Sequence, residues 1–184
     1  MSGFYIMAAD TTEFSDYIYL DTAQIPDKLK WACVDSAFQH IDKNLHTLLI
    51  SAASEDALPD FLYDPVCAVP LISERLKQLF DSLDIRNLFY QRVWLERRSD
   101  HISQSYWLAV PPRISCLDLD KSIITSLERA ERMVIERDKI GNYEIFKTAD
   151  AVNTEIIVTE KLKNAVEEKG FTEGFGFYSD EHLI

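Results

Sequence analysis

The sequence predicts an α+β domain with a mixed or mainly antiparallel sheet and a few packed helices. Short runs rich in aromatic and β-branched residues, separated by polar turns, predict strands. Two amphipathic stretches with capping residues predict helices. Strands and helices do not alternate regularly, which argues against a doubly wound fold. With 184 residues, 47% of them hydrophobic and 27% charged, the chain is expected to form a single domain over residues 1–184.

The first third of the chain predicts strands and contains one ambiguous segment. The predicted strands are "FYIMA" (4–8), "YIYLD" (17–21) and "HTLLISA" (46–52). The segment "DKLKWACVDSAFQHI" (27–41) fits helical spacing and strand alternation almost equally well, so both structures stay open for it. The segment "LPDFLYDPVCAVP" (58–70) has three prolines in 13 residues, which predicts an irregular, extended connector.

The clearest helix follows this connector. Ser73 is placed to cap its first turn and Glu74 suits the positive end of the helix dipole, so we expect a helix over 74–83. The apolar residues of its buried face are Ile72, Leu76, Leu79, Phe80 and Leu83.

A strand hairpin is expected after this helix. The segments "LFYQRVWLE" (88–96) and "SQSYWLAVP" (103–111) predict neighbouring strands across a polar turn. The stretch "RVWLERRSD" (92–100) combines the aromatic Trp94 with three arginines, but the adjacent acids favour a solvated hairpin edge over a nucleic-acid surface.

The helix pattern returns 86 residues later. Thr159 replaces Ser73 as the cap, Gly170 is suited to end the helix in the left-handed conformation, and "FGFYS" (175–179) predicts a closing strand. The equivalent face positions are Val158, Leu162, Ala165, Val166 and Lys169. Two interpretations remain open, a chance likeness between two capped helices and an internally duplicated helix-turn-strand unit.

Between the two copies the pattern is less clear. The segment "ERMVIERDKIGNYEIFKTA" (131–149) predicts two strands around the turn "KIGNY" (139–143). The preceding "CLDLDKSIITSL" (116–127) is compatible with a strand or a helix.

The charge and the cysteines limit the class of protein. The formal net charge is −12, from 31 acidic and 19 basic residues, which disfavours nonspecific binding to nucleic acid or to anionic membranes. No apolar run reaches the length of a membrane helix and no secretory leader pattern precedes the first strand, so we expect a cytoplasmic protein. Cys33, Cys67 and Cys116 are far apart among apolar neighbours, which predicts buried reduced thiols.

Motifs for catalysis or metal binding are weak. The histidines have no metal-ligand spacing, which favours surface or capping roles for His40, His46, His101 and His182. Asp118 and Asp120 would share a face if their segment were a strand, and such a pair could bind a divalent metal in a hydrolase or nuclease. A solvated pair is favoured because no second cluster supplies the remaining ligands. The residue patterns therefore give no positive support for catalysis, and no cofactor is expected.

An acidic surface is the strongest candidate for a binding function. Residues 1–70 contain 11 acidic and 3 basic residues, a charge field that would speed the capture of a basic partner. The candidate partner-binding residues are Asp10, Glu13, Asp16, Asp21, Asp56, Asp60 and Asp64.

Five segments in succession resemble a known family. They are "LPDFL", "LISERLKQLFDSL", "YWLAVPPRISCLDLDKS", "EIFK" and "IIVTEKLKNAVEEKGFTEGFGF", which together cover about residues 58–177. This succession resembles immunity protein family eleven of bacterial polymorphic toxin systems. The resemblance implies a non-enzymatic protein that neutralises a cognate toxin domain by stoichiometric binding. With the acidic surface, it leads us to expect a basic toxin domain such as a nuclease, and a generic regulatory interaction module is the remaining alternative.

Overall fold

The computed structural model describes residues 3–9, 19–21, 23–51, 58–64, 68–97, 100–171 and 174–179. It confirms the α+β class. The helices are α1 (Asp27–Val34), α2 (Glu74–Ser82), α3 (Arg137–Ile140) and α4 (Glu160–Glu168). The strands are β1 (Phe4–Ala9), β2 (Tyr19–Leu20), β3 (Thr47–Ser51), β4 (Phe61–Asp64), β5 (Val69–Ser73), β6 (Phe89–Arg97), β7 (Ser103–Val110), β8 (Arg113–Ile114), β9 (Ile123–Ile124), β10 (Ala130–Arg132), β11 (Ile145–Thr148), β12 (Ile156–Thr159) and β13 (Phe175–Tyr178).

Two mixed sheets form the framework. The first sheet has the order β2-β3-β6-β7-β5-β4, and the second has the order β13-β1-β12-β11-β8. The pairs β3–β6 and β8–β11 are parallel, and the other pairs within these sheets are antiparallel. A small antiparallel pair, β9–β10, stands apart from them.

The main core lies between the inner faces of the two sheets. Apolar residues of α2, including Leu76 and Phe80, and of α4, including Leu162 and Val166, are buried there together with residues of both sheets such as Ile72 and Val158. A second cluster packs α1 on the outer face of the first sheet. A third cluster packs the β9–β10 region and α3 on the outer face of the second sheet.

The repeated pattern in the sequence corresponds to two structural units. In the first unit, β4, β5, α2, β6 and β7 follow in chain order, and the strands lie in the order β4-β5-β7-β6. In the second unit, β11, β12, α4 and β13 follow in the same order, and β1 occupies the place of β7. The registers agree, because Ile72 pairs with Trp107 and Val158 pairs with Tyr5. The second unit is therefore a circular permutation of the first.

The caps at the helix starts repeat in detail. The Ser73 hydroxyl accepts from Leu76 N–H at 3.2 Å and donates to Asp60. The Thr159 hydroxyl accepts from Leu162 N–H at 3.4 Å and donates to Glu144. The further equivalent contacts are Arg75 with Asp60 and Lys161 with Glu144, then Lys77 with Asp81 and Lys163 with Glu167. A chance likeness of two amphipathic helices would not reproduce these contacts, so the duplicated-unit interpretation is favoured.

The helix ends repeat as well. Asp84 has φ +58° and Gly170 has φ +69°, so both helices end on a left-handed residue. The N–H of Ile85 then donates to Phe80 O at 3.0 Å, and that of Phe171 donates to Val166 O at 3.2 Å. The end predicted at Gly170 is confirmed.

Three of the local predictions need correction or completion. The expected irregular connector over 58–70 is wrong, because β4 and the first two residues of β5 lie within it. Pro70 is tolerated since it lies before Leu71, where the ladder of β5 with β7 begins. Of the two strands expected around 139–143, the one after the turn is confirmed as β11. The one before it is wrong, because α3 precedes the turn and β10 pairs with β9 and not with β11. The ambiguous segment 27–41 forms α1 and then a short 3₁₀ turn.

The segment 116–127 is mostly neither strand nor helix. Leu117 makes a single bridge to Ile135, a turn occupies 119–121, and β9 is only two residues long. The premise that would have placed Asp118 and Asp120 on one strand face therefore does not hold.

Candidate functional site: the Trp94 face

The inner face of the first sheet is only partly covered by α2. Alternation along β6 places Tyr90, Arg92, Trp94 and Glu96 on this face, because Val93 and Leu95 point to the α1 cluster. In β7, Trp107 and Ser105 lie opposite Arg92 and Trp94. We call the part of this surface beyond α2 the Trp94 face. It consists of Arg92, Trp94, Glu96, His101, Ser105 and Trp107.

A series of cation–aromatic contacts leads from α2 onto this face. Lys77 Nζ lies 4.2 Å from the ring centre of Tyr90 and 5.3 Å from that of Trp107. Asp81 holds the same ammonium group at 2.6 Å. Burial, followed by the Asp81 charge, raises the pKa of Tyr90, so its hydroxyl stays protonated at neutral pH.

The next cation is Arg92, whose guanidinium lies 4.9 Å from the ring centre of Trp107. Glu74 fixes both groups, because one of its oxygens accepts from Trp107 Nε1 at 2.8 Å and from Arg92 Nη2 at 3.2 Å. The Arg92 side chain is 52% exposed, and an ion pair at that exposure adds at most about 1 kcal/mol to stability. The arrangement therefore orients surface groups more than it stabilises the fold.

Trp94 is the last aromatic residue of this series. It is 45% exposed, while its backbone N–H donates to His46 O at 2.7 Å and so anchors the strand. The Ser105 hydroxyl, opposite Trp94 in the ladder, is shielded from water and has no hydrogen-bond partner within the described part of the chain. His101 Nδ1 lies 2.9 Å from Glu96 Oε1 at the outer end of the face. Exposed Trp and Arg held in fixed positions are the residue types that dominate binding energy at protein interfaces.

The sequence interpretation of 92–100 as a solvated hairpin edge missed this face. The signal was present in the period of two, since the residues that alternate onto this face, Tyr90, Arg92 and Trp94, are aromatic or cationic. What the local sequence could not supply is Trp107 from the neighbouring strand and Glu74 from α2.

The acidic candidates fall into three groups. Asp60 is 1% exposed, so it does not belong to an exposed acidic surface. Asp21 is half-buried after β2, where its carbonyl accepts from Gln24 N–H at 2.9 Å. Asp64 lies in β4, but its side chain is outside the described part of the structure. The remaining four, which lie outside the described residues, are Asp10, Glu13, Asp16 and Asp56.

Asp60 serves the fold. It accepts from Ser73 Oγ at 2.5 Å and from Arg75 Nε at 2.5 Å, and Arg75 Nη2 donates to its second oxygen. A buried carboxylate needs such partners, because leaving it unpaired costs several kcal/mol, of order 3–5. The local sequence gave no hint of this, since Arg75 is 15 residues away.

The aspartates proposed for a metal site are not arranged for one. Asp118 Oδ2 accepts from Lys121 Nζ at 2.5 Å, and Asp118 Oδ1 accepts from the Asp120 N–H at 3.2 Å. The hydrogen bond from Lys121 holds the pKa of Asp118 below its usual range. Within the described ranges, no group of three or more His, Cys, Asp or Glu side chains could hold a metal ion.

The histidines and cysteines occupy the kinds of position predicted for them. His40, His46 and His101 are exposed, and Cys33 and Cys116 are buried, reduced cysteines. Burial raises the pKa of Cys116 to about 11, which keeps it an unreactive thiol. His182 and Cys67 lie outside the described residues.

One buried cation joins the second sheet to α1. Lys147 of β11 has no exposed surface, and its Nζ donates to Cys33 O at 2.8 Å near the end of α1. Burial lowers the pKa of Lys147 to about 8. Because the group is sealed from solvent, its chemistry bears on stability and not on catalysis.

Comparison with known proteins identifies the family. No helix within the described ranges has the length and apolarity needed to cross a bilayer. Among individual proteins of curated function, none matches the chain. The model of one family, Immunity protein family (Imm11), matches residues 8–180, so the match extends beyond the segments 58–177 that carry the resemblance. The chain therefore belongs to the immunity protein family Imm11.

Proposed function

We propose that this protein neutralises a cognate bacterial toxin domain in the cytoplasm by binding it stoichiometrically, without catalysis of its own. The observation that carries the proposal is the family match over residues 8–180. The geometry supports it, because the clearest exposed feature of the described residues is a preorganised aromatic and charged face, and such faces suit protein recognition.

The charge supports a basic toxin domain, for which a nuclease is a good candidate. A net charge of −12 attracts a basic protein over a distance of about 10 Å at moderate salt and raises the rate of encounter. The acidic residues of the first third of the chain are proposed to contribute to this steering, and Asp60 is excluded from it by its burial. An immunity protein benefits from rapid capture, since the toxin must be bound before it reaches its target.

The test uses the toxin domain that we expect to be encoded beside the gene of this chain. The two proteins are co-expressed, and the complex is examined by size-exclusion chromatography and calorimetry. We expect a 1:1 complex, and we expect cells that produce the toxin domain to survive only when this chain is present. A toxin that is bound without loss of toxicity, or no complex at micromolar concentration, would exclude the proposed function.

A further inference from the structure

In the cation–aromatic series on the Trp94 face, Trp94 is the ring over which no cation of the described residues lies. Lys77 lies over Tyr90 and Trp107, and Arg92 lies over Trp107. Trp94 is the next aromatic ring along the strand, and no cation of the described residues lies over it. The residue is nevertheless 45% exposed. An aromatic ring, which carries excess negative charge on its faces, is thus left accessible at the end of a surface whose other rings lie under cations.

Each cation of the series is also paired with a carboxylate. Lys77 has Asp81 at 2.6 Å, and Arg92 has Glu74 at 3.2 Å. Glu96 is two residues beyond Trp94 in β6, so its carboxylate lies on the same face of the sheet as the Trp94 ring. Within the described part of the chain, the contact found for its side chain is His101, which is itself exposed.

We propose that a lysine or arginine side chain of the toxin domain lies over Trp94 in the complex and pairs with Glu96. This inference rests on the proposed function and adds to it the surface and the chemistry of the contact. The occupant is cationic because both the exposed ring face and the adjacent carboxylate attract positive charge. The net charge of −12 favours a partner that can supply such a side chain.

The contact is expected to be stronger in the complex than at an open surface. A cation over an indole gains more when water is excluded, and an interface that closes around Trp94 excludes it. Loss of the ring is therefore expected to weaken the complex about tenfold, which is within the range measured for desolvated cation–aromatic pairs.

The experiment measures the affinity of the full chain for the neighbouring toxin domain by calorimetry. Trp94→Leu removes the aromatic ring and keeps an apolar side chain, and Glu96→Gln removes the carboxylate charge. Trp31 provides the matched control, because it is 48% exposed and lies on α1, which packs on the opposite face of the first sheet. We expect Trp94→Leu to lower the affinity about tenfold, Glu96→Gln to lower it about threefold to fivefold, and Trp31→Leu to change it less than threefold.

A second measurement separates a cation from an apolar occupant. Tryptophan with one to four fluorine atoms is placed at position 94 alone, which withdraws electron density from the ring face with little change in size. A stepwise fall in affinity with each fluorine supports the proposal. Equal affinity across the fluorinated series, or no effect of Trp94→Leu in a chain that binds the toxin, overturns it. A wild-type chain that fails to bind the toxin at all excludes the proposed function first, and this inference with it.

Discussion

Replacing Lys147 with methionine is expected to remove a specific part of the pH dependence of stability. Lys147 has no exposed surface, and burial lowers its pKa from the ordinary 10.5 to about 8. In the unfolded chain the ammonium group keeps its ordinary pKa, so between pH 8 and 10.5 the unfolded state binds more protons than the folded state. The free energy of unfolding must therefore rise with pH in this window.

The size of the effect follows from the difference in pKa. A difference of 2.5 units between 10.5 and about 8 corresponds to about 3 kcal/mol, present as a penalty below pH 8 and relieved above 10.5. Between pH 7 and 9.5, the free-energy penalty from this group is expected to fall by about 2 kcal/mol. Higher pH is avoided, because the raised pKa values of Tyr90 and Tyr106 make stability fall once unfolded tyrosines ionise above about pH 10.

The assay is urea unfolding followed by circular dichroism at several pH values from 7 to 9.5. From pH 7 to 9.5, the free energy of unfolding of the wild type is expected to rise by about 2 kcal/mol relative to that of the Lys147→Met chain. The two chains are compared with each other because Cys116, whose raised pKa lowers stability above about pH 9, is present in both. Lys161→Met, which removes a lysine whose side chain is 66% exposed, serves as the control and should keep the wild-type slope. Identical slopes for the wild type and Lys147→Met would refute the reasoning that burial sets this pKa.

Further predictions concern the duplicated caps and the acidic residues. Asp60→Asn should lower the free energy of unfolding by about 1–2 kcal/mol, because a buried amide oxygen accepts from Ser73 and Arg75 less strongly than the carboxylate does, while the Arg75 side chain itself is half exposed. Glu144→Gln at the equivalent, more exposed position should cost less than about 1 kcal/mol, and equal losses in urea unfolding would contradict the distinction. Reversal of Asp10 and Asp16 to lysine should slow association with the toxin domain and weaken its salt dependence, measured by stopped-flow fluorescence at two salt concentrations. Unchanged association rates would remove these acids from the proposed steering surface.

Local patterns predicted the elements in which neighbouring residues decide the structure. The helix over 74–83 and its later copy were predictable because apolar spacing, a capping hydroxyl and a left-handed end such as Gly170 all lie within a dozen residues. The strand hairpin of β6 and β7 was predictable for the same reason. In each case the decisive contacts are close in the sequence.

Distant pairing was not predictable from such patterns. The sequence does not show that Tyr5 pairs with Val158, or that β1 completes the second unit. Asp60 was expected at the surface because aspartate is usually exposed, and its burial depends on Arg75 and Ser73 in another strand and helix. The Trp94 face likewise requires residues of α2, β6 and β7 to meet.

The place of β1 in the second sheet has a consequence for biosynthesis. β1 lies between β12 and β13, so both of its neighbours are made more than 145 residues after it. As the nascent chain leaves the ribosome, all strands of the first unit are made while β1 (Phe4–Ala9) still lacks both of its neighbouring strands. Pairings between such distant segments form slowly. Folding of the second sheet therefore cannot be completed until translation has passed Tyr178. Until then, β1 needs protection from association with other chains.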